Sequence, residues 1–350
     1  MHDILIVGGG IAGLALGREL VDRGRAPVVL ERAQGVGGRC ATRRIDGQPV
    51  DHGPAFLHGR SPRFVAAITA ACAAETPAEW PRVRDGIGVP CQPQAFEPGD
   101  TRLAPAAGVN VLAKHLAHGL DVRRDARVEA LALRAAPDGS GRRVWEARLA
   151  SGEHLLARAL ALAVPAPSAL ALLEPLGAAE PPIAALQPLL RLIRVVPCLA
   201  VIARFPAGTA APAWHASYPE SASVQAILHD SSKRGPAARL TLVIQARPGF
   251  SQAHVDGPDD VWARLLLDEA ARLHGGWIGA PELVQAHRWR YARVAAGTEL
   301  AAPLVAHCAG GAVLGIAGDG LDASGGVEGA YLSGVALAAR LTRADDAVGT

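Results

Sequence analysis

The sequence predicts an α/β fold in which one domain is interrupted by a second, α+β domain built on an antiparallel sheet. Three observations carry this expectation. Residues 4–22 run from an apolar strand through a glycine-rich turn into a helical pattern, and a second apolar run then closes on Glu31. Far downstream, a buried strand over Gly311–Ala317 is followed by an apolar helix over Val327–Leu341. At 350 residues, half of them hydrophobic, the chain is long for a single core, and two connected domains are expected.

The first element is Ile4, Leu5, Ile6 and Val7, followed by glycines at 8, 10 and 13. Leu14, Leu16, Leu20 and Val21 give the helical period, Arg23–Gly24 the turn, and Pro27–Leu30 the second strand. This is a βαβ unit with a dinucleotide-binding fingerprint. Gly8 permits the tight turn, Gly10 admits a pyrophosphate to the backbone, and Gly13 lets helix and strand approach closely. The helix N-terminus then offers free N–H groups and the positive end of its dipole. Glu31, 18 residues beyond Gly13, is placed to accept hydrogen bonds from both ribose hydroxyls of an adenosine.

Leu120–Leu133 and Trp145–Leu149 read as strands joined by a turn at residues 137–141, and Leu155–Val164 as an apolar strand ending in Pro165. The Ala/Pro-rich stretch Pro165–Pro188 reads as a crossover between domains. Beyond it, Leu189–Ala203, Arg239–Ala246 and Pro281–Tyr291 are expected as strands. Asp259–His274 is expected as an amphipathic helix with Val261, Leu265, Leu266 and Ala270 on one face. The expected division is a dinucleotide domain from residues 1–60, 111–170 and 296–350, with a second domain from 61–110 and 171–295.

A second glycine pair identifies the dinucleotide. Residues 34–39, Gln-Gly-Val-Gly-Gly-Arg, follow Glu31, as in FAD-binding domains of the glutathione-reductase type. Gly37 and Gly38 allow close backbone approach, and Arg39 can reach phosphate or flavin carbonyl oxygens. Asp319 closes the C-terminal strand where a ribityl hydroxyl could bind. Residues 325–330, Gly-Gly-Val-Glu-Gly-Ala, open the last helix toward the flavin N1–C2=O region. The expected ligand is non-covalent FAD. Its expected contacts are Gly8, Gly10, Ile11, Ala12, Gly13, Glu31, Arg32, Gly38, Arg39, His52, Val128, Asp319, Gly326, Val327, Glu328 and Ala330.

The run from Gly37 to Arg44, followed by Asp51-His-Gly-Pro-Ala-Phe56, resembles the opening of the renalase-type flavoproteins, a bacterial-type branch of the amine-oxidase superfamily. His229-Asp-Ser-Ser-Lys-Arg234, Phe250–His254 and His287-Arg-Trp-Arg-Tyr-Ala292 are similar to inner segments of that family, so the resemblance spans almost the whole chain. Departures are Cys40 for a common methionine, an altered aromatic patch at Pro54, Phe56 and Leu57, Asp230 for asparagine and Arg234 for proline. The resemblance implies an oxidase that converts 2- or 6-dihydro-NAD(P) isomers to NAD(P)+, with O2 reduced to hydrogen peroxide. It implies a flavin-facing pocket built from His52, His229, His287, Trp289 and Tyr291, with His52, His287, Trp289 and Tyr291 as the catalytic set. Trp289 and Tyr291, at i and i+2, would share a strand face with His287. Asp230 and Lys233 read equally well as a solvated loop.

Alternatives remain: an amine oxidase, a polyprenoid desaturase, or a non-catalytic FAD-binding protein. An amine oxidase often carries a lysine that bridges water to the flavin, and this chain has only Lys114 and Lys233. A desaturase would want a membrane-docking helix, and none is evident. A net charge of +2 gives no reason to expect nucleic acid or an anionic membrane. The scattered Cys40, Cys72, Cys91, Cys198 and Cys308 suggest neither a disulfide framework nor a metal site. The first strand begins almost at Met1, so a cytoplasmic protein without signal peptide is expected.

Overall fold

In the computed structural model, which describes residues 1–72 and 79–348, His2–Val7 is the central strand of the first sheet. Its last four residues are buried, which suits an apolar run flanked on both sides by parallel partners. Pro27–Leu30 pairs with it in parallel on one side and His154–Leu162 on the other. Asp121–Arg123 extends the sheet beyond Pro27–Leu30, and Val313–Ile316 extends it beyond His154–Leu162, both in parallel. Leu304–His307 adds an antiparallel edge, and the hairpin Val128–Ala135/Arg143–Leu149 joins through Arg143–Leu149 to the start of His154–Leu162.

This sheet belongs to a unit made of Met1–Gly38, Leu112–Val195 and the chain from Val294 onward. Its helices include Ile11–Asp22 and Gly326–Val348, which pack on each other through Gly334. A Cβ at Gly334 would lie 2.3 Å from the Ala12 carbonyl oxygen, so only glycine permits this approach.

The second unit comprises Arg39–Val111 and Val196–Arg293. Its sheet runs in the order Leu283–Val294, Val195–Arg204, Thr241–Ala246, Val224–His229, Ala216–Ser217, Arg84–Asp85. The pairings from Val195–Arg204 to Ala216–Ser217 are antiparallel, and the short last pairing is parallel. Asp259–His274 covers this sheet, with Trp262, Leu266, Leu267 and Ala270 in its core.

Several local expectations change. Leu120–Leu133 is two strands, because Asp125 turns the backbone into the left-handed region (φ 54) and Ala126 donates to the Glu31 carbonyl at 2.8 Å. Pro165–Pro188 is no open crossover. It forms Ala166–Leu173 and most of Pro181–Leu192, each with proline in its first turn, where the missing N–H costs nothing. Ala169, Leu173, Ile183, Leu186 and Leu190 enter the core of the first unit, which therefore extends to Val195 rather than 170. Ile45 and Val50 belong to a core of the second unit, which therefore begins at Arg39 rather than 61. Leu189–Leu192 ends a helix, and the strand expected from Leu189 begins at Val195. On Asp259–His274 the buried stripe is shifted by one residue, leaving Val261 and Leu265 about half exposed at 51% and 45%.

Candidate functional site

The glycine turn of the first unit is closely packed against its own backbone at two glycines and open at the third. Gly8 has φ +110°, and a Cβ there would lie 2.6 Å from the Ala163 carbonyl oxygen. A Cβ at Gly13 would fall 2.0 Å from the Gly8 carbonyl oxygen, so the helix can sit on its own turn only as glycine. At Gly10 a Cβ would meet nothing within 4 Å, leaving the backbone open to an approaching phosphate. Gly10 is also the helix N-cap and supplies no side-chain cap, so the first-turn amides keep their donors available. Ile11 and Ala12 are buried, so any contact they make with a ligand is through their backbone.

The second glycine loop lies directly against the first. Gly37 N–H donates to the Gly9 carbonyl at 2.8 Å, Gly37 bridges to Gly10, and a Cβ on Gly38 would stand 3.5 Å from the Gly10 Cα. Glu31 is buried, with Oε2 accepting from Gly9 N–H at 2.7 Å and Oε1 from Ala33 N–H at 2.8 Å. Each oxygen retains a lone pair, so the pinned carboxylate can still accept from two ribose hydroxyls. Val128 starts the strand that the Ala126–Glu31 bond ties to this carboxylate's backbone, while Arg32 is exposed. Asp319 is buried beyond the strand Val313–Ile316, and Gly318 N–H is held by Ser333 Oγ at 3.0 Å. Gly325 and Gly326, at φ +60° and +56°, then turn the chain into the helix that carries Val327, Glu328 and Ala330. These residues fit an extended dinucleotide with two phosphates.

Replacing Glu31 with alanine removes two potential charge-assisted bonds to the ribose, each worth about 1.5–3 kcal/mol, and frees the Gly9 amide. FAD affinity should fall by at least about tenfold on reconstitution of apoprotein followed by absorbance. Unchanged affinity would remove Glu31 from the cofactor site.

In the second unit, Thr42–Ile45 and Gln48–Asp51 form a tight hairpin. Its turn, Asp46–Gly47, has positive φ at both residues (48° and 83°), the geometry that matches strand twist. The register sets Thr42 opposite Asp51 and Arg43 opposite Val50, and delivers His52 directly after the hairpin. His52 stacks on Trp289 (centroids 5.3 Å, interplanar 28°) and meets His287 edge-on at 4.6 Å. His287 and Trp289, two residues apart on Leu283–Val294, touch at 4.2 Å, and Trp289 Nε1 donates to the His52 carbonyl at 2.9 Å. Burial first, then the neighbouring His287 and Arg43, push the His52 imidazole down to about 4. Burial and Arg43 do the same to His287, also to about 4. Both rings are therefore neutral at physiological pH.

Beneath this wall lies a buried ionic cluster. Lys233 Nζ sits 2.9 Å from Asp51 Oδ2 and 2.6 Å from Asp230 Oδ1, and Arg234 reaches the same two carboxylates at 2.5 and 3.1 Å. Thr42 Oγ1 and the Val109 amide donate to Asp51 Oδ1. Burial alone would raise Asp51, but Lys233, Arg234 and Thr42 hold its carboxyl below the ordinary range. Asp230 and Lys233 are thus not a solvated loop: they bury their charges because each finds two or more partners.

Two expected pocket residues stand elsewhere. His229 lies beside Trp214 and His215, where burial lowers its imidazole to about 4, and it makes no ring contact with His52. Tyr291 is exposed and stands outside the ring cluster. Arg39 opens the second unit and donates to the Ala292 carbonyl at 3.3 Å. Sequence reasoning gave no role to Arg43, whose guanidinium bonds Gln285 Oε1 at 2.9 Å and approaches His287 Nδ1 at 3.4 Å. The Asp46–Gly47 turn was the available signal that Arg43 and His52 would be brought together.

Comparison with known proteins agrees with the Rossmann-like fold of the first segment. A model of the family "Flavin containing amine oxidoreductase" matches residues 78–342, and one of NAD(P)-binding Rossmann-like domains matches residues 6–70. The chain is 32% identical over 135 residues to (S)-6-hydroxynicotine oxidase of Paenarthrobacter nicotinovorans, covering 35% of this chain and 30% of that protein. The chain thus spans less than a third of the length of that curated relative. Among solved structures, a triple mutant of putrescine oxidase superposes with a TM-score of 0.68 at 15% identity, covering 98% of this chain and 99% of the other. Cyclohexylamine oxidase from Brevibacterium oxydans gives 0.64 at 15% identity, with the same coverage. At such identity these likenesses establish the fold.

Proposed function

The chain belongs to the flavin containing amine oxidoreductase family, as an FAD-dependent oxidoreductase, and from that premise we propose that it oxidises 2- or 6-dihydro-NAD(P) isomers to NAD(P)+. When bound, FAD supplies the two-electron acceptor, which O2 reoxidises with release of hydrogen peroxide. The first unit holds the cofactor through Gly8, Gly10, Gly13, Glu31, Gly38, Asp319 and the start of the last helix. The second unit holds the substrate, with His52, His287 and Trp289 as its wall. In the substrate one C–H bond breaks, its electron pair leaves with the hydrogen as hydride, and the ring becomes an aromatic pyridinium.

The observation that carries this reading is the neutral ring cluster. Two imidazoles held near pKa 4 and one indole offer planar, uncharged faces and no ionised base. A dihydropyridine needs none, because aromatisation drives hydride departure, and the wall contributes alignment. The named relatives favour a second reading, oxidation of an amine. Against it, Lys233 is locked between Asp51 and Asp230, and Lys114 is exposed on Val111–Ala117 of the first unit. Neither lysine is available to hold a water at the reacting centre.

Aerobic incubation with 6-dihydro-NAD should release NAD+ and hydrogen peroxide in equal amounts, whereas putrescine and cyclohexylamine should yield no peroxide. Peroxide from the amines alone would establish the second reading.

A further inference from the structure

The cluster around His52 contains a cation without a counter-charge. Several arginines of the second unit find carboxylates: Arg204 pairs with Asp46 and Glu282, Arg234 with Asp51 and Asp230, and Arg288 with Asp259. Arg43 is half-buried, yet it bonds the neutral Gln285 and approaches the neutral His287, and among the described residues it forms no ion pair. A partly desolvated guanidinium without an anion is unfavourable, and its planar fork suits an oxyanion in particular. A second observation lies next to it: His287, which Arg43 approaches, joins His52 and Trp289 in a cluster of planar rings on which a flat ligand could pack.

We propose that Arg43 binds an anionic oxygen group, phosphate or carboxylate, attached to a planar heteroaromatic ring that packs on the His52–His287–Trp289 cluster. The proposal rests on the substrate wall assigned above and deepens it by naming the charge of the substrate. A protonated amine would meet like charge at this point, while a pyridine nucleotide brings the anion the site lacks. Gln285 orients the guanidinium without neutralising it.

Calorimetric titration of the FAD-loaded protein with three non-reacting probes tests this: nicotinamide, nicotinate and nicotinamide mononucleotide. Arg43→Gln should weaken at least one anionic probe tenfold or more and leave nicotinamide within twofold. Arg43→Lys, which keeps the charge, should retain more than a third of the affinity. Loss confined to the mononucleotide places a phosphate at Arg43, and loss confined to nicotinate places a ring carboxylate there. Equal loss of all three probes, no change in any, or no binding to the unaltered protein overturns the proposal. Because no probe is oxidised, an Arg43-dependent result stands even if no dihydronicotinamide reduces the flavin, in which case the redox reading alone fails.

Discussion

Arg234→Gln should lower the unfolding free energy by about 3–5 kcal/mol, the cost of leaving a buried carboxylate short of a partner. The substitution strips the Asp51–Asp230 pair of one of its two cations, leaving Lys233 to serve both. Asp230→Asn should be costly for the opposite reason, since it leaves two buried cations facing Asp51 alone. The double variant keeps the cluster neutral, with Lys233 on Asp51, and should be less destabilised than the two single variants summed. A coupling of about 1–3 kcal/mol, read from urea unfolding of all four proteins, is expected. Additive losses would mean that Asp230 and Arg234 act independently. The physical interest is that both residues depart from the resembled family's pattern, asparagine and proline there. One departure adds a negative charge, the other a positive charge, and the structure joins them.

The second large effect concerns alignment. Trp289→Ala removes the ring on which His52 stacks and the donor to the His52 carbonyl, so the wall loses both its surface and its anchor. FAD should remain bound, because the glycine turns, Glu31, Asp319 and the start of the last helix belong to the first unit. Anaerobic flavin reduction by 6-dihydro-NAD should slow by at least about tenfold, equivalent to about 1.4 kcal/mol of transition-state stabilisation. Tyr291→Ala, outside the cluster, should stay within about twofold of the unaltered protein. Equal rates for the Trp289 variant and the unaltered protein would exclude the indole from the substrate wall.

The βαβ unit with its glycine turn was readable because its signals are local. Glycines 8, 10 and 13, the strand before them and Glu31 after them lie within 31 residues, and Gly8 and Gly13 answer steric needs visible in the backbone. The last helix was equally plain, since Gly325–Gly326 and a long apolar run mark its start. The second unit was less so. His52 and Trp289 stand 237 positions apart and are joined by a hydrogen bond that no periodicity announces. Periodicity alone put Tyr291 with Trp289, but a common strand face does not bring Tyr291 within reach of the covering His52. Charge pairing was hidden for the same reason: Asp51 meets Lys233 and Arg234 across about 180 residues, so a run that looked solvated is buried. Helix against crossover at Pro165–Pro188 failed on composition, because prolines that begin helices resemble prolines that prevent them.

The central claim is that this flavoprotein takes its electrons from a misreduced, anionic pyridine nucleotide. Anaerobic stopped-flow mixing of the FAD-loaded protein with 6-dihydro-NAD, 2-dihydro-NAD, putrescine and cyclohexylamine in parallel addresses it most directly. The account predicts bleaching of the flavin by one or both dihydro isomers, with NAD+ as product, and no bleaching by either amine. Bleaching by an amine while both dihydro isomers leave the flavin oxidised would contradict it.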